Sequence, residues 1–507
     1  MNATRVAQGT GGAAPEMVRR LVQGSVLHLS AQLLLMLCTY VVSVVLARSL
    51  GPAAFGAYGM VYSLLMTTEL VGRFGIPQAA GKLMAENPAL HDRIGASGLT
   101  MALSAYMLLF VGMWLAAPWI AELFGIPEGS GLLRLAFWDI PIYGTFFVLW
   151  HILNARRRFL IESIAFGLYG VTKVIGIGVL VWIGPTLRDA FVVNIVSSLV
   201  AALFIGWFVG RAPWRPSLAD AGQILRLAVP IGILTIGLQL LPTIDLWMLS
   251  AVGSHPEDAV RGYYVAALSI ARIPNFISYG MNAVLVTSIA SAMGAGDRAA
   301  VQRALEMTVR FLLVALLPAG ALMAVNAREI LTFLFSPEFA PAAPLLAVLV
   351  FAQGVCMTSY GTLLSIMTGG RQAGTASRLA MAVVPVALVI SFAGVLMYGA
   401  MGAAIGSLVS CSIAVAGAAA LIWRENGPFV HAGTVARIIA ATLCAALVSA
   451  HVEAEGVWLL VEAVLIGVAY LAVLPMLGIV GKSDLEALRA GKTAASSAQV
   501  AAEGADG

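Results

Sequence analysis

The chain alternates long apolar runs with short polar connections almost from end to end. A helix needs about 20 mostly apolar residues to cross a bilayer. Runs near that length fall at 22–47, 54–78, 94–118, 131–153, 159–183, 189–210, 225–250, 262–290, 305–327, 341–367, 376–398, 401–423, 435–450 and 456–479. The pattern predicts an all-α polytopic membrane protein of about 14 spans, with almost no chain left for a soluble domain. The first two runs meet at Ala47-Arg48-Ser49-Leu50-Gly51-Pro52-Ala53-Ala54-Phe55-Gly56-Ala57-Tyr58-Gly59. Proline lacks a backbone donor and restricts the residue before it, while glycine permits tight geometry, so Gly51, Pro52 and Gly56 shape a reversal and a helical hairpin. A weaker echo, Leu249-Ser250-Ala251-Val252-Gly253 leading to Arg261-Gly262-Tyr263-Tyr264-Val265-Ala266, points to an internal repeat.

The most polar connection near the middle is Arg211-Ala212-Pro213-Trp214-Arg215-Pro216-Ser217-Leu218-Ala219-Asp220. We place a linker at 211–224, between an N-lobe at 21–210 and a C-lobe at 225–424. Two six-helix blocks in the same orientation predict pseudo-symmetry about an axis along the membrane normal. Two further spans at 425–480 have no counterpart, and residues 1–20 and 481–507 form tails, the second rich in Ala, Ser and Gly and too poor in apolar residues for a core.

Composition supports this picture and adds an orientation. Hydrophobic residues make up 60% of the sequence and charged residues 11%, whereas globular soluble chains carry about 25% charge. Lys and Arg gather in cytoplasmic loops of membrane proteins, so the net charge of +4 gives no reason to expect nucleic acid as a partner. With the N-terminus in the cytoplasm, Arg19, Arg20, Lys82, Arg93, Arg156, Arg157, Arg158, Arg211, Arg215, Arg298, Arg303, Arg371, Arg378, Arg424, Lys482, Arg489 and Lys492 fall on that side. The other side receives only Arg48, Arg188, Arg261 and Arg328, with Arg134 nearby. An even number of spans returns the C-terminus to the cytoplasm. The first run outlasts a signal-peptide core, so it is expected to stay in the mature protein. Cys38, Cys356, Cys411 and Cys444 stand singly in apolar runs, and His28 and His151 lack ligand spacing, so neither a disulfide framework nor a metal site is expected. There is no Gly-rich phosphate loop of the P-loop type, and no cofactor is expected.

Candidate chemistry lies in the polar residues inside the spans. A mid-span charge costs about 2.5–3.5 kcal/mol on insertion scales and needs a protein or water partner. In the first span Ser25, His28, Gln32, Thr39 and Ser43 recur with Met36 at helical spacing, a face that either walls a cavity or bonds to neighbouring helices. Arg272, Asn275, Tyr279 and Asn282 share a face of the eighth span, and Arg272 sits roughly 15 Å from the span's start, near the midplane. Pro274 beside it is placed to kink the helix. Arg272 is therefore either an anion-binding group or an arginine neutralised by a structural partner such as Asp245. Lys173, three turns from Glu162 in the fifth span with Phe166 and Tyr169 between, is a second candidate cation. Glu69 and Arg73 form an i, i+4 pair suited to an interfacial salt bridge or to contact with substrate. Asp139 and Asp245 are the carboxylates best placed to couple to H⁺ or Na⁺, or to act as counter-ions.

The opening hairpin, Leu46 to Tyr58, resembles the first loop of the bacterial polysaccharide transporter branch of the multidrug/oligosaccharidyl-lipid/polysaccharide (MOP) exporter superfamily, the branch of O-antigen and exopolysaccharide flippases. Asp245 followed by Gly262-Tyr263-Tyr264-Val265-Ala266-Ala267 resembles the matching place in the second lobe, and Leu334-Phe335-Ser336-Pro337-Glu338-Phe339 with Ala342 resembles the amphipathic loop before the tenth span. The likeness covers roughly 20–425. One departure is Val286-Thr287-Ser288-Ile289, where many relatives have a proline late in the eighth span. The resemblance implies twelve core helices in two lobes plus two more, a bacterial inner-membrane location, and a membrane-lipid substrate. That substrate would be an undecaprenyl-diphosphate-linked oligosaccharide, flipped by alternating access beside a polysaccharide polymerase and glycosyltransferases. On this reading Arg272, Lys173 and Arg73 bind the diphosphate, and Tyr40, Tyr169, Tyr279, Asn275, Asn282 and Gln32 face the sugars. Asp245 or Asp139 couples the cycle to H⁺ or Na⁺. The rivals are a cation-coupled drug antiporter of the same superfamily, a membrane-embedded glycosyltransferase or polymerase, and a passive channel.

Overall fold

Helical structure beginning at Ala13 continues to Arg73, but Gly51 breaks it with φ 72° and ψ 174°. That left-handed φ suits glycine, and Pro52 can start the next helix because its missing donor would be unsatisfied there in any case. The chain reverses at this point. Gly24 lies against Phe159 and Gly170 against Cys38, so the first and fifth spans climb together. The second span then descends from the hinge. This computed structural model describes residues 13–126, 129–210, 216–252, 258–276, 298–369, 372–452, 454 and 456–479. Tyr279 and Asn282 lie outside them, as do the departure at 286–289 and the C-terminal tail.

Every described element is helical or a connection. Among the described residues, eleven runs are long and apolar enough to cross a bilayer. Two of these, Leu27–Glu86 and Ala373–Asn426, fold back at Gly51 and Gly399 and so hold two spans each. The shorter apolar helix Ala259–Ala271 forms the described start of the eighth span. The result is the expected multi-pass, 14-span architecture.

Several spans are discontinuous, which hydropathy did not indicate. The second breaks after Arg73 at Phe74 and Gly75, then resumes as Ile76–Glu86. The fourth is Gly129–Ala136 followed by Asp139–Ala155. The seventh is Leu218–Leu240 followed by Ile244–Val252, parted at Leu241-Pro242-Thr243. In the eighth, Asp258–Ala271 gives way to tight turns through Arg272 to Pro274, the kink expected from Pro274. A π-helix, Val350–Met357, interrupts the tenth.

Arginines tie the span ends into two faces. On one, Arg156 donates to Val209 O and Asp92 Oδ1, both at 2.9 Å, and Arg93 bridges Asp220 at 2.7 and 3.0 Å. On the other, Arg48 donates to the carbonyls of Phe333 and Leu334, and Arg261 donates to Gly125 O. The N-lobe interior is packed around Tyr106, which is fully buried. Its ring fills the space beside Gly72 and Gly144, where an added Cβ would come within 2.4 and 2.5 Å of it. Tyr106→Ala would leave a cavity between three helices and is expected to cost about 3–5 kcal/mol, as for other buried aromatics. Thermal unfolding in detergent should show the loss, with surface-exposed Tyr398→Ala close to wild type.

Candidate functional site

The second and eighth spans, which complete the first hairpin of each lobe, press against each other at the hinge face. A Cβ on Gly262 would lie 1.8 Å from Pro52 O, and one on Gly56 would lie 2.5 Å from Gly262 N. Phe55 seals this end by packing on Phe335 and Phe339. At the opposite end the Phe74-Gly75 break of the second span rests on Ala228 and Gly232 of the seventh. Between these two contacts lies a cavity of about 350 Å³, walled by the first, second, fifth, seventh and eighth spans.

Lys173 of the N-lobe and Arg272 of the C-lobe both line this cavity, together with Tyr40 and Asn275. Discontinuous helices position Arg272: its Nη2 donates to Pro242 O at 2.8 Å, a carbonyl in the broken seventh span. Gly354 of the π-helix packs against the Ala271 carbonyl and Pro274. Irregular backbone at membrane depth is tolerated where it lines a cavity or is buried in protein, and three such irregularities converge on Arg272. Thr358 donates to Asn275 Oδ1, fixing the side chain one turn further on. Lys173 is 3% exposed, with Nζ 4.7 Å from the Tyr62 ring centroid, a desolvated ammonium held by an aromatic face.

The remaining candidates are placed elsewhere. Tyr169 is buried behind Lys173, its ring centroid 5.8 Å from Nζ. Gln32 does not line the cavity. It bonds His28 at 3.0 Å, and His28 pairs with fully buried Glu162 at 2.9 Å, with Asn154 donating to the same carboxylate. The polar stripe on the first span thus divides, with Met36, Thr39 and Ser43 on the cavity and His28 and Gln32 against the fifth span, while the Ser25 side chain lies outside those described. Arg73 stacks over Phe147 at 3.9 Å and Tyr143 at 5.7 Å instead of pairing with Glu69 at an interface. Glu69 is completely buried. Asp139, also completely buried, accepts from Asn194. Asp245 accepts from the Leu246 amide at 2.8 Å, and Tyr264 and Ser407 lie beside it. Arg272 thus bonds to a carbonyl, while Asp245, the structural partner envisaged for it, interacts with it electrostatically without a salt bridge.

Other lining groups were missed. Gln239 and Thr243, an i, i+4 pair on the seventh span, and Ser63, which accepts from Trp247 Nε1 at 3.0 Å, face the cavity. The pair was a readable signal. Asn194 and Ser198 of the sixth span, beside Asp139 and off the cavity, carried another. Among the described residues no cluster of His, Cys, Asp and Glu could hold a metal ion.

A family profile described as "Polysaccharide biosynthesis protein" matches residues 21–277. No curated protein matches the chain. Among solved structures, the lipid II flippase MurJ in an inward closed conformation has a TM-score of 0.70 at 15% identity, covering 89% of this chain and 98% of MurJ. An inward-facing multidrug resistance MATE family transporter of the MOP superfamily has a TM-score of 0.64 at 15% identity, covering 77% and 95%. A mutant of the Vibrio cholerae MATE transporter VcmN has a TM-score of 0.59 at 17% identity, covering 81% and 97%. At these identities the likeness establishes the fold.

Proposed function

Because the chain belongs to the polysaccharide biosynthesis protein family of the MOP exporter superfamily, we propose that it flips an undecaprenyl-diphosphate-linked oligosaccharide by alternating access of its two lobes. The direction is from the cytoplasmic to the periplasmic leaflet of a bacterial inner membrane, with both termini in the cytoplasm. The observation that carries this reading is the convergence of Lys173 and Arg272, one from each lobe, on one cavity. Cations in a low-dielectric pocket attract a diphosphate strongly, and the planar guanidinium grips phosphate oxygens in pairs. Both lobes would then hold the same headgroup, so that moving one against the other moves the lipid.

Tyr40 and Asn275 offer ring and amide contacts to the first sugar, with Gln239, Thr243 and Ser269 across the cavity. About 350 Å³ is at the lower end of ligand sites, and a whole repeat unit exceeds it, so the lobes must part to load. Asp139 and Asp245, joined now by Glu69, are the acids that would couple the cycle to an ion. A polymerase and glycosyltransferases fit as partners, since they would consume and supply such a substrate. The cationic-drug antiporter is disfavoured because none of the described lining residues is acidic. A glycosyltransferase or polymerase is disfavoured because, among the described residues, the connections are too short to hold a loop domain for catalysis.

Reconstitution in liposomes tests the reading. A fluorescent undecaprenyl-diphosphate-linked sugar should change leaflets in a protein-dependent manner, and a cationic dye should not be extruded. The opposite pair of results would replace the flippase with the antiporter.

A further inference from the structure

We propose that the C-terminal pair, spans 13 and 14, braces the closure at the hinge face by holding the short helix Ala327–Leu334 in place. The inference rests on the reading of the protein as an alternating-access transporter, in which that closure must open and form again.

The helix Ala327–Leu334 lies between the ninth and tenth spans and has only 8 residues. So short a helix gains little stability from its own backbone, and its position depends on what grips its two ends. The N-lobe grips one of them. The last carbonyls of a helix lack partners within it and carry its partial negative charge. Arg48 donates to two of these, Leu334 O at 2.8 Å and Phe333 O. The next residue, Phe335, meets Phe55 of the second span in the apolar seal. Displacing this helix therefore undoes the arginine contact and the seal together.

The C-terminal pair grips the other end. Asn326 stands just before the first helical turn, but its side chain makes no cap bond to the helix. Its amide donates instead to Leu322 O at 3.0 Å and to Ser449 Oγ of span 13 at 2.7 Å. Ser449 in turn donates to Glu462 Oε1 of span 14 at 2.5 Å. Glu462 is 7% exposed, and its second oxygen has no hydrogen-bond partner among the described residues. A carboxylate inside a span is costly, and this one terminates a chain of side chains that ties three spans to the start of the helix. The loop between spans 13 and 14 adds a contact near the helix end, where a Cβ on Gly456 would lie 3.9 Å from the Phe333 ring. Spans 13 and 14 thus hold the helix at both ends from the C-lobe side, and Arg48 meets a fixed target. Without the brace the helix shifts, and the hinge face opens more readily.

The reporter is Ser63→Cys, with Cys38, Cys356, Cys411 and Cys444 replaced by alanine, labelled in membranes by an impermeant maleimide applied at the hinge face without substrate. The parent should react slowly. Arg48→Ala, Ser449→Ala and Glu462→Leu should each raise the rate by about tenfold or more, the worth of one hydrogen bond to a charged group. Glu462→Gln keeps an acceptor for the Ser449 hydroxyl and should react as slowly as the parent. Combining Arg48→Ala with Ser449→Ala should give less than the product of the two effects, because both act through one helix. Strictly multiplicative effects, or a Glu462→Gln variant as open as Glu462→Leu, overturn the brace. Slow labelling of folded Ser449→Ala and Glu462→Leu also overturns it, even where Arg48→Ala labels fast. Rapid labelling of the parent removes the hinge-face closure itself, and with it the alternating-access reading. Ser449→Ala deletes a single hydroxyl, so it carries the test if Glu462→Leu fails to fold.

Discussion

Replacing Lys173 and Arg272 together by alanine is expected to abolish transfer of a diphosphate-linked lipid. Hydrogen bonds to charged groups contribute about 1.5–3 kcal/mol each, so loss of both should weaken the bound headgroup by about 3–6 kcal/mol, or roughly 10²–10⁴-fold. Each single variant should lose about half of that on the energy scale. The two sites differ in what a conservative change can rescue. Arg272→Lys keeps the charge but loses the fork and the bond to Pro242 O, so it should restore only part of the activity. Lys173→Arg places a larger, planar cation beneath Tyr62 in a buried position and should also rescue only in part. Leaflet transfer in proteoliposomes, with melting temperature recorded for each variant, separates loss of substrate from loss of fold. Undiminished transfer by the folded double variant would exclude the diphosphate role.

Much of this arrangement was readable from the sequence. The fifth span, expected at 159–183, is observed at Phe159–Ile183, because an apolar run bounded by Arg156 to Arg158 at one end and Gly184-Pro185 at the other leaves little freedom in where to start and stop. The hinge was legible for a similar reason, since glycine followed by proline permits few backbone conformations. The breaks inside spans were not. Hydropathy averages over a window, and a two-residue interruption such as Phe137 and Trp138 lowers it very little. No local composition marks the π-helix at Val350–Met357, which arises where Gly354 meets the turn at Ala271 and Pro274.

The candidate site shows the same division. Periodicity put Lys173 and Arg272 on polar faces of their spans, and the fold brings those faces to one cavity. Periodicity cannot say which neighbour each part of a stripe meets, and so Gln32 went to His28 and the fifth span instead of the cavity. Sequence spacing suggested that Glu69 would hold Arg73. The bundle instead supplied Phe147 and Tyr143 as a closer surface for the guanidinium, leaving the acid buried one turn away.

The second large effect concerns closure at the hinge face. Gly262→Ala would put a methyl group 1.8 Å from Pro52 O and 2.5 Å from its carbonyl carbon. Both are backbone atoms, so no rotamer change relieves the clash. Overpacking of ordinary core sites costs about 1–3 kcal/mol, and a contact this short on rigid helices should reach the upper end. A penalty of about 3 kcal/mol confined to the closed arrangement shifts the two-state equilibrium on the order of 100-fold toward the arrangement open at the hinge face. Transport should then stop although the protein remains folded, because alternating access needs both closures. Ser63, which lines the cavity, reports the shift. With Cys38, Cys356, Cys411 and Cys444 replaced by alanine, Ser63→Cys should react slowly with a membrane-impermeant thiol reagent applied at the hinge face. Adding Gly262→Ala should make that reaction fast. Gly433→Ala, at a glycine with open space around it, should leave both reactivity and transport unchanged. If Gly262→Ala supports normal transport with Ser63→Cys still protected, the contact between Pro52 and Gly262 is not the closure that the cycle requires.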